Sequence, residues 1–320
     1  MSGGKAIKRY GLRYDLQRSL RRNWSLYLLV LPGILYFLIF LYWPMYGVVI
    51  AFKDFSPSKG ILASPWASTR GTQDLFKHFN KFFTSIHFER TVRNTILISL
   101  YNLAVGFPVP LFLAILMNEL QHRRFKQIVQ TVTYLPHFIS TVVLCGMLWI
   151  FLRNDTGLFN ILRAKAGLPS INFLNEGKYF KTIYVLSGVW QNAGWGTIIY
   201  MATLSSLDTQ MYEAAMIDGA TRMQTVAYIT LPCLMPTAIM LLILDFGSFM
   251  SIGFEKVFAL QTDLTLEASD VISTLVYRKG ILETSYSFSS AVGLFNSLIN
   301  CFLLLTVNYI SRRTANISLF

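Results

Sequence analysis

Charged residues along this chain are sparse and clustered, and the intervals between them set its architecture. Six stretches run without Asp, Glu, Lys or Arg for at least 22 residues: Asn23 to Phe52, Asn94 to Asn118, Gln127 to Leu152, Thr182 to Leu207, Met223 to Leu244 and Thr284 to Ser311. A hydrocarbon core about 30 Å thick is crossed by about 20 helical residues at 1.5 Å rise, so each stretch holds one crossing and no other interval does. The pattern predicts an all-α, polytopic integral membrane protein with six transmembrane helices, over about 24–52, 94–118, 128–152, 182–205, 226–252 and 286–311. They form one domain spanning 24–311, between a basic tail of 1–23 and a short tail of 312–320.

The connections alternate between short and long. In the first long one, Leu75, Phe76, Phe79, Phe82 and Phe83 recur at helical spacing beside Lys77 and Lys81, which suits a helix lying along the membrane surface or packing over helix ends. Prolines 32, 44, 108, 110, 136, 232 and 236 interrupt or begin the apolar segments, and glycines 188, 194, 196, 247 and 293 lie within them. Membrane helices keep such residues where neighbours pack closely or satisfy the freed backbone. No internal repeat or low-complexity tract is present.

Composition agrees: 53% of residues are hydrophobic and 14% charged, where a soluble domain runs near a quarter charged. The first apolar segment follows a tail bearing Lys5, Lys8, Arg9, Arg13, Arg18, Arg21 and Arg22, but it is twice the length of a signal core. Tyr42-Trp43-Pro44-Met45-Tyr46 also stands where small residues would be cleaved, so the segment reads as a retained helix. The net charge of +12 is explained by anionic lipid beside that tail, with an anionic cargo as the alternative. Basic residues at both ends favour a cytoplasmic location for the termini, although the three outer connections carry 15 of the 28 Lys and Arg residues. Cys145, Cys233 and Cys301 lie far apart in apolar segments and read as small buried residues rather than disulfides or ligands.

Several chemistries are missing. There is no G-x-x-x-x-G-K-[ST] loop for nucleotide phosphates, and His78, His87, His122 and His137 show no metal-ligand spacing. His137, beside Pro136 near a helix start, reads as a hydrogen-bonded packing residue. An ion-coupled carrier would need several ionisable groups within its helices, and Asp245 is essentially the only one here. A membrane enzyme acting on lipid-linked sugars would need clustered Asp, Glu or His at one membrane face, and none is evident.

The most informative segment follows the fourth crossing, over 208–224. Asp208 begins a short helix whose surface carries Ala214 and Ala215, small enough to admit another surface closely. Gly219 lets the backbone leave that helix where a side chain would be costly, and Leu231-Pro232 sets the start of the next crossing. A short helix of small residues between two spans is a docking element. Its string, Glu213-Ala214-Ala215, Gly219 four residues after Ala215, then Ile229-x-Leu231-Pro232, resembles without a departure the EAA loop of permease subunits of binding-protein-dependent ABC importers.

The resemblance runs across nearly the whole chain. Leu31-Pro32-Gly33, Pro44-Met45-Tyr46-Gly47, Ala51-Phe52-Lys53-Asp54-Phe55, Tyr134-Leu135-Pro136-His137-Phe138-Ile139-Ser140, Trp195-Gly196-Thr197-Ile198-Ile199-Tyr200 and Gly253-Phe254-Glu255-Lys256-Val257-Phe258 are similar to permeases of polysaccharide and complex-sugar importers, the alginate importers among them. The resemblance implies the type I ABC importer permease fold in a bacterial cytoplasmic (inner) membrane, with both termini cytoplasmic. It implies a heterodimer with a second permease subunit, two ATP-binding-cassette ATPases and an extracytoplasmic sugar-binding protein. The cargo would be an oligo- or polysaccharide, alginate-like and anionic or else a neutral complex oligosaccharide. No cofactor belongs to this chain; ATP and Mg would sit on the ATPases. Glu213, Ala214, Ala215, Asp218, Gly219, Arg222, Ile229, Leu231 and Pro232 would couple the chain to an ATPase, as a coupling helix.

For the pathway itself, sugars need aromatic faces and polar groups for their hydroxyls. Trp190, Gln191, Asn192, Trp195 and Tyr200 crowd one segment, with Asn192 and Trp195 on one helix face. Trp190, Asn192, Trp195, Tyr200 and Asp245 are therefore the candidate pathway residues, with helix packing and an interfacial aromatic belt as the competing reading. Asp245 departs from the small polar residue of the resembled subfamily. It faces either substrate or another helix.

Overall fold

The computed structural model describes residues 22–320; most of the basic tail expected over 1–23 lies outside them. Helix dominates: α1 Trp24–Phe52 and α3 Ile86–Asn118, the bent pair α4 Arg123–Phe138 and α5 Thr141–Phe151, and α7 Gly177–Ser205. After the short α8 Thr209–Ile217 come α9 Arg222–Gly247 and α12 Tyr286–Thr314. Smaller helices fill the long connections: α2 Lys77–Phe83, α6 Leu158–Lys165, α10 Phe254–Leu260 and α11 Ile272–Tyr277.

By length and hydropathy, α1, α3, α9 and α12 qualify as spans, and the bent pair makes a fifth. Helix α7 has the length, at 29 residues, but not the hydropathy. It carries Lys178, Lys181, Gln191 and Asn192, and its burial against α3, α4, α9 and α10 makes it the central helix of the bundle. Five spans are thus one fewer than the six that charge spacing predicts, and the fourth expected crossing falls on this more polar helix.

Boundaries and continuity differ from the sequence expectation in three places, each with a local cause. The second span begins at Ile86 rather than 94, because its first two turns pack on the outer connections and tolerate Arg90 and Arg93 there. The third is not one helix: α4 and α5 meet at 96°, broken at Leu135–Ser140 where Pro136 removes a backbone donor. The fifth starts at Arg222, so Pro232 lies inside a continuous helix instead of opening it. The turn just before it, Val226–Thr230, widens to π geometry, and Phe37–Tyr42 does the same before Pro44. A wider turn relieves the clash between the proline ring and the carbonyl four residues earlier.

Glycines set the closest helix approach. A Cβ at Gly194 would lie 2.0 Å from the Thr133 carbonyl oxygen, so α7 and α4 touch backbone to backbone there. Gly196 against Pro110 and Gly247 against Leu304 are close approaches of the same kind, whereas Gly293 faces open space.

One end of the bundle carries a cap. A hairpin, β1 Ser68–Thr69 with β2 Thr72–Gln73, turns at Arg70-Gly71, both at positive φ. Asp54 accepts from Lys77 Nζ at 2.8 Å and from Ser68 N at 3.2 Å, and lies 3.1 Å from His78 Nε2. The phenylalanine-rich α2 packs over helix ends rather than lying along the membrane surface. Phe82 is fully buried against Phe88, Phe288 and Phe295 at ring distances of 5.0, 6.2 and 5.5 Å. Beside it, Asp270 is fully buried and accepts from Arg90 and Arg278, each at 2.7 Å, and from Thr274 Oγ1 at 2.9 Å. The three cysteines are free.

No residue of α1 from Trp24 to Met45 is buried, and only its outer end, Tyr46–Phe52, packs on α12.

Candidate coupling loop and translocation cavity

The docking element forms as a sharply bounded unit. Asp208 caps α8, its carboxylate accepting from Gln210 N at 2.9 Å. At the other end Gly219 adopts φ +77°, and Ala220 N closes back on the Ala215 carbonyl at 2.9 Å. This left-handed ending needs glycine. Thr221 and Gln224 then form a reciprocal capping box that starts α9. Tyr212 Oη meets Thr230 Oγ1 at 3.2 Å and fastens the short helix to the span that follows.

None of the nine residues of α8 is buried. Glu213, Ala214, Asp218, Gly219 and Arg222 are exposed, Ala215 half-buried. Ile229 and Leu231 are half-buried and Pro232 is exposed, all within α9. Around the alanines stands an apolar rim that motif reading passed over: Met216, Ile217 and Met223 are 66, 86 and 77% exposed. Their signal was present, since these are apolar residues in and beside the segment already read as a docking element. Exposed methionine and isoleucine around small residues offer the adaptable apolar chemistry that contact surfaces use.

A cavity of about 910 Å3 lies between α3, α7, the end of α9 and α10. Asn192, Tyr200 and Asp245 line it, together with Ser99, Asn102, Gln191, Ser248 and Lys256, which the sequence reading did not assign to the pathway. Amides and hydroxyls beside the rings of Tyr184, Tyr200 and Phe249 give the mixture that sugar hydroxyls and ring faces need. Trp190 and Trp195 do not line it.

Trp195 instead stacks on His137, rings 4.4 Å apart and 8° from parallel, while His137 Nδ1 donates to Asn192 Oδ1 at 3.0 Å. Asn192 and Trp195 thus share a face, as three-residue spacing requires, and that face holds the break between α4 and α5. Gln191 Nε2 donates to the freed Ile139 carbonyl at 2.7 Å, and Ser140 caps α5. Irregular backbone at membrane depth is thereby satisfied by protein groups.

Lys256 is 8% exposed. Its ammonium donates to the Tyr184 carbonyl at 2.8 Å and lies 4.8 Å from that ring's centre. Burial pushes it down to about 8, so it remains mostly protonated at neutral pH. Among the described residues no cluster of three His, Cys, Asp or Glu side chains could hold a metal.

A largely helical bundle with an exposed short helix on a connection and a polar cavity between its helices matches what a membrane transport subunit requires. Residues 106–316 match the family model for the binding-protein-dependent transport system inner membrane component, and the chain belongs to that family. It is 41% identical to Protein LplB of Bacillus subtilis over 94% of this chain and 93% of that one. Against the polygalacturonan/rhamnogalacturonan transport system permease protein YteP of the same organism the identity is 40%, over 90 and 88% of the two chains. A crystal structure of a bacterial ABC transporter involved in the import of the acidic polysaccharide alginate superposes with TM-score 0.85 at 39% identity, covering 94% of this chain and 99% of that one. A second, of a bacterial alginate ABC transporter with an alginate pentasaccharide-bound periplasmic protein, superposes equally well at 38% identity. The family is one of transport permeases, not enzymes.

Proposed function

We propose that this chain is one permease subunit of an ATP-driven importer that passes an oligo- or polysaccharide, an alginate-like acidic one, from an extracytoplasmic binding protein to the cytoplasm. The observation that carries this reading is α8, a capped helix with no buried residue and an apolar rim, placed between two spans. In the proposal Glu213, Ala214, Ala215 and Gly219 sit in a cleft of a cytoplasmic ATPase, with Asp218 and Arg222 at its edges. Both chain termini lie on the same cytoplasmic side. ATP and Mg belong to two such ATPases. The unpacked α1 supports a second permease subunit as its neighbour, because a helix with no buried residue from Trp24 to Met45 has a whole surface to offer. The cavity between α3, α7, the end of α9 and α10 is this chain's share of the pathway. Closure of the ATPases on nucleotide would draw the coupling helices together and turn the cavity from one side of the membrane to the other.

The test is reconstitution with the genetically neighbouring permease, ATPase and binding protein, following ATP hydrolysis with and without acidic oligosaccharides. Saccharide should raise hydrolysis, and Glu213→Ala combined with Gly219→Pro should abolish that rise while the complex still assembles. Hydrolysis indifferent to this chain and its loop would overturn the reading.

A further inference from the structure

A buried cation with no anion beside it invites a question about what completes it. Lys256 lines the cavity, and among the described residues none of the ion pairs involves it. An ammonium has three N–H donors, and one is used, on the Tyr184 carbonyl. The site is shaped around the head group: a Cβ at Gly188 would lie 3.1 Å from Lys256 Nζ, so the missing side chain makes its room. Holding a charge out of water is costly unless an opposite charge meets it. Asp245 and Glu255 line the same cavity but are exposed, and neither reaches Nζ within 4 Å.

We propose that Lys256 receives the carboxylate of an acidic sugar unit during its passage through the cavity, making this chain selective for uronate-containing saccharides over neutral ones. The inference rests on the importer reading above and deepens it. A compact ammonium on a fixed stem suits a carboxylate, whereas the hydroxyls are served by the neutral amides of Asn102, Gln191 and Asn192. The depressed proton affinity of Lys256 fits a cation awaiting its counter-ion.

The complete transporter with its binding protein, in proteoliposomes, tests this. The probes are oligogalacturonate and oligomannuronate, each beside its carboxyl-reduced neutral form of the same length. Lys256→Met should lower the efficiency of acidic-saccharide-stimulated hydrolysis about tenfold, the loss appropriate to one charge-assisted contact. Lys256→Arg, which keeps the charge in a larger head group, should retain more of the response than either neutral variant. Lys256→Gln is read in parallel, so that a folding defect of the methionine variant does not decide the outcome. An unchanged acidic response in both neutral variants overturns the inference. So does a wild type that answers to neutral forms as well as to acidic ones, or to no acidic probe. In those cases hydrolysis that still depends on saccharide through Glu213 and Gly219 leaves the importer reading standing. Hydrolysis independent of both saccharide and loop removes the two together.

Discussion

Asp270→Asn should be the most destabilising conservative substitution at the capped end of this protein. Its carboxylate has no exposed surface and accepts from two guanidiniums and a hydroxyl, all within 2.9 Å. Removing one member of a buried ion pair costs about 3–5 kcal/mol, mostly from stranding the partner charge. Here Arg90 and Arg278 keep 19 and 28% of their side-chain surface, so water recovers part of that cost and about 2–3 kcal/mol is expected. The loss is read as the shift in unfolding midpoint when mixed micelles are titrated with denaturing detergent and followed by tryptophan fluorescence. The triple variant Asp270→Asn, Arg90→Met, Arg278→Met should recover a good part of the loss, because it removes the stranded charges as well. A single variant costing less than about 0.5 kcal/mol, or a triple variant no more stable than the single, would refute this account.

Three further outcomes follow from particular contacts. Gly194→Ala places a methyl 2.0 Å from a backbone oxygen, so it should destabilise by at least about 1–3 kcal/mol and lower the yield of folded protein on size exclusion, whereas Gly293→Ala, in open space, should not. Gly219→Ala forces an L side chain to φ +77°, costing about 1 kcal/mol locally; saccharide-stimulated hydrolysis should fall while membrane insertion stays normal. Burial lowers the proton affinity of His78 despite Asp54 beside it. The unfolded chain then binds the proton more readily, so this contribution is present above pH 6.5 and is lost as pH falls below it. The unfolding midpoint should drop between pH 7.5 and 5.5, and drop less in His78→Gln; equal drops would disprove the role.

The spans were legible because lipid imposes a long-range rule on composition, and charge spacing reads it directly. The local build of the 208–224 connection was legible for a different reason: capping residue and left-handed glycine are both local, and Asp208 and Gly219 do in the structure what their chemistry suggests. The cavity was only half visible. Asn192, Tyr200 and Asp245 line it, but Lys256 and Asn102 come from distant segments, and nothing local announces that α3, α7 and α10 converge. Trp195 lies outside the cavity and stacks on His137, the packing alternative that the sequence left open, beside a helix break that no apolar count reveals. The Arg90–Asp270–Arg278 cluster joins residues 180 and 8 positions apart, a closure that depends entirely on the tertiary fold.

The isolation of α1 bears on how such a subunit can change over generations. Its residues from Trp24 to Met45 answer to bilayer thickness and to whatever surface lies alongside, not to any core of their own chain. Recombination that swaps this segment between kindred genes would disturb one seam, at Tyr46–Phe52, and leave the cavity and the docking loop untouched. On the proposed pairing, the first helix is the part of the chain in which the choice of neighbour can drift separately from the lining of the cavity. Chimeras joined at Lys53 would separate the two traits in the laboratory.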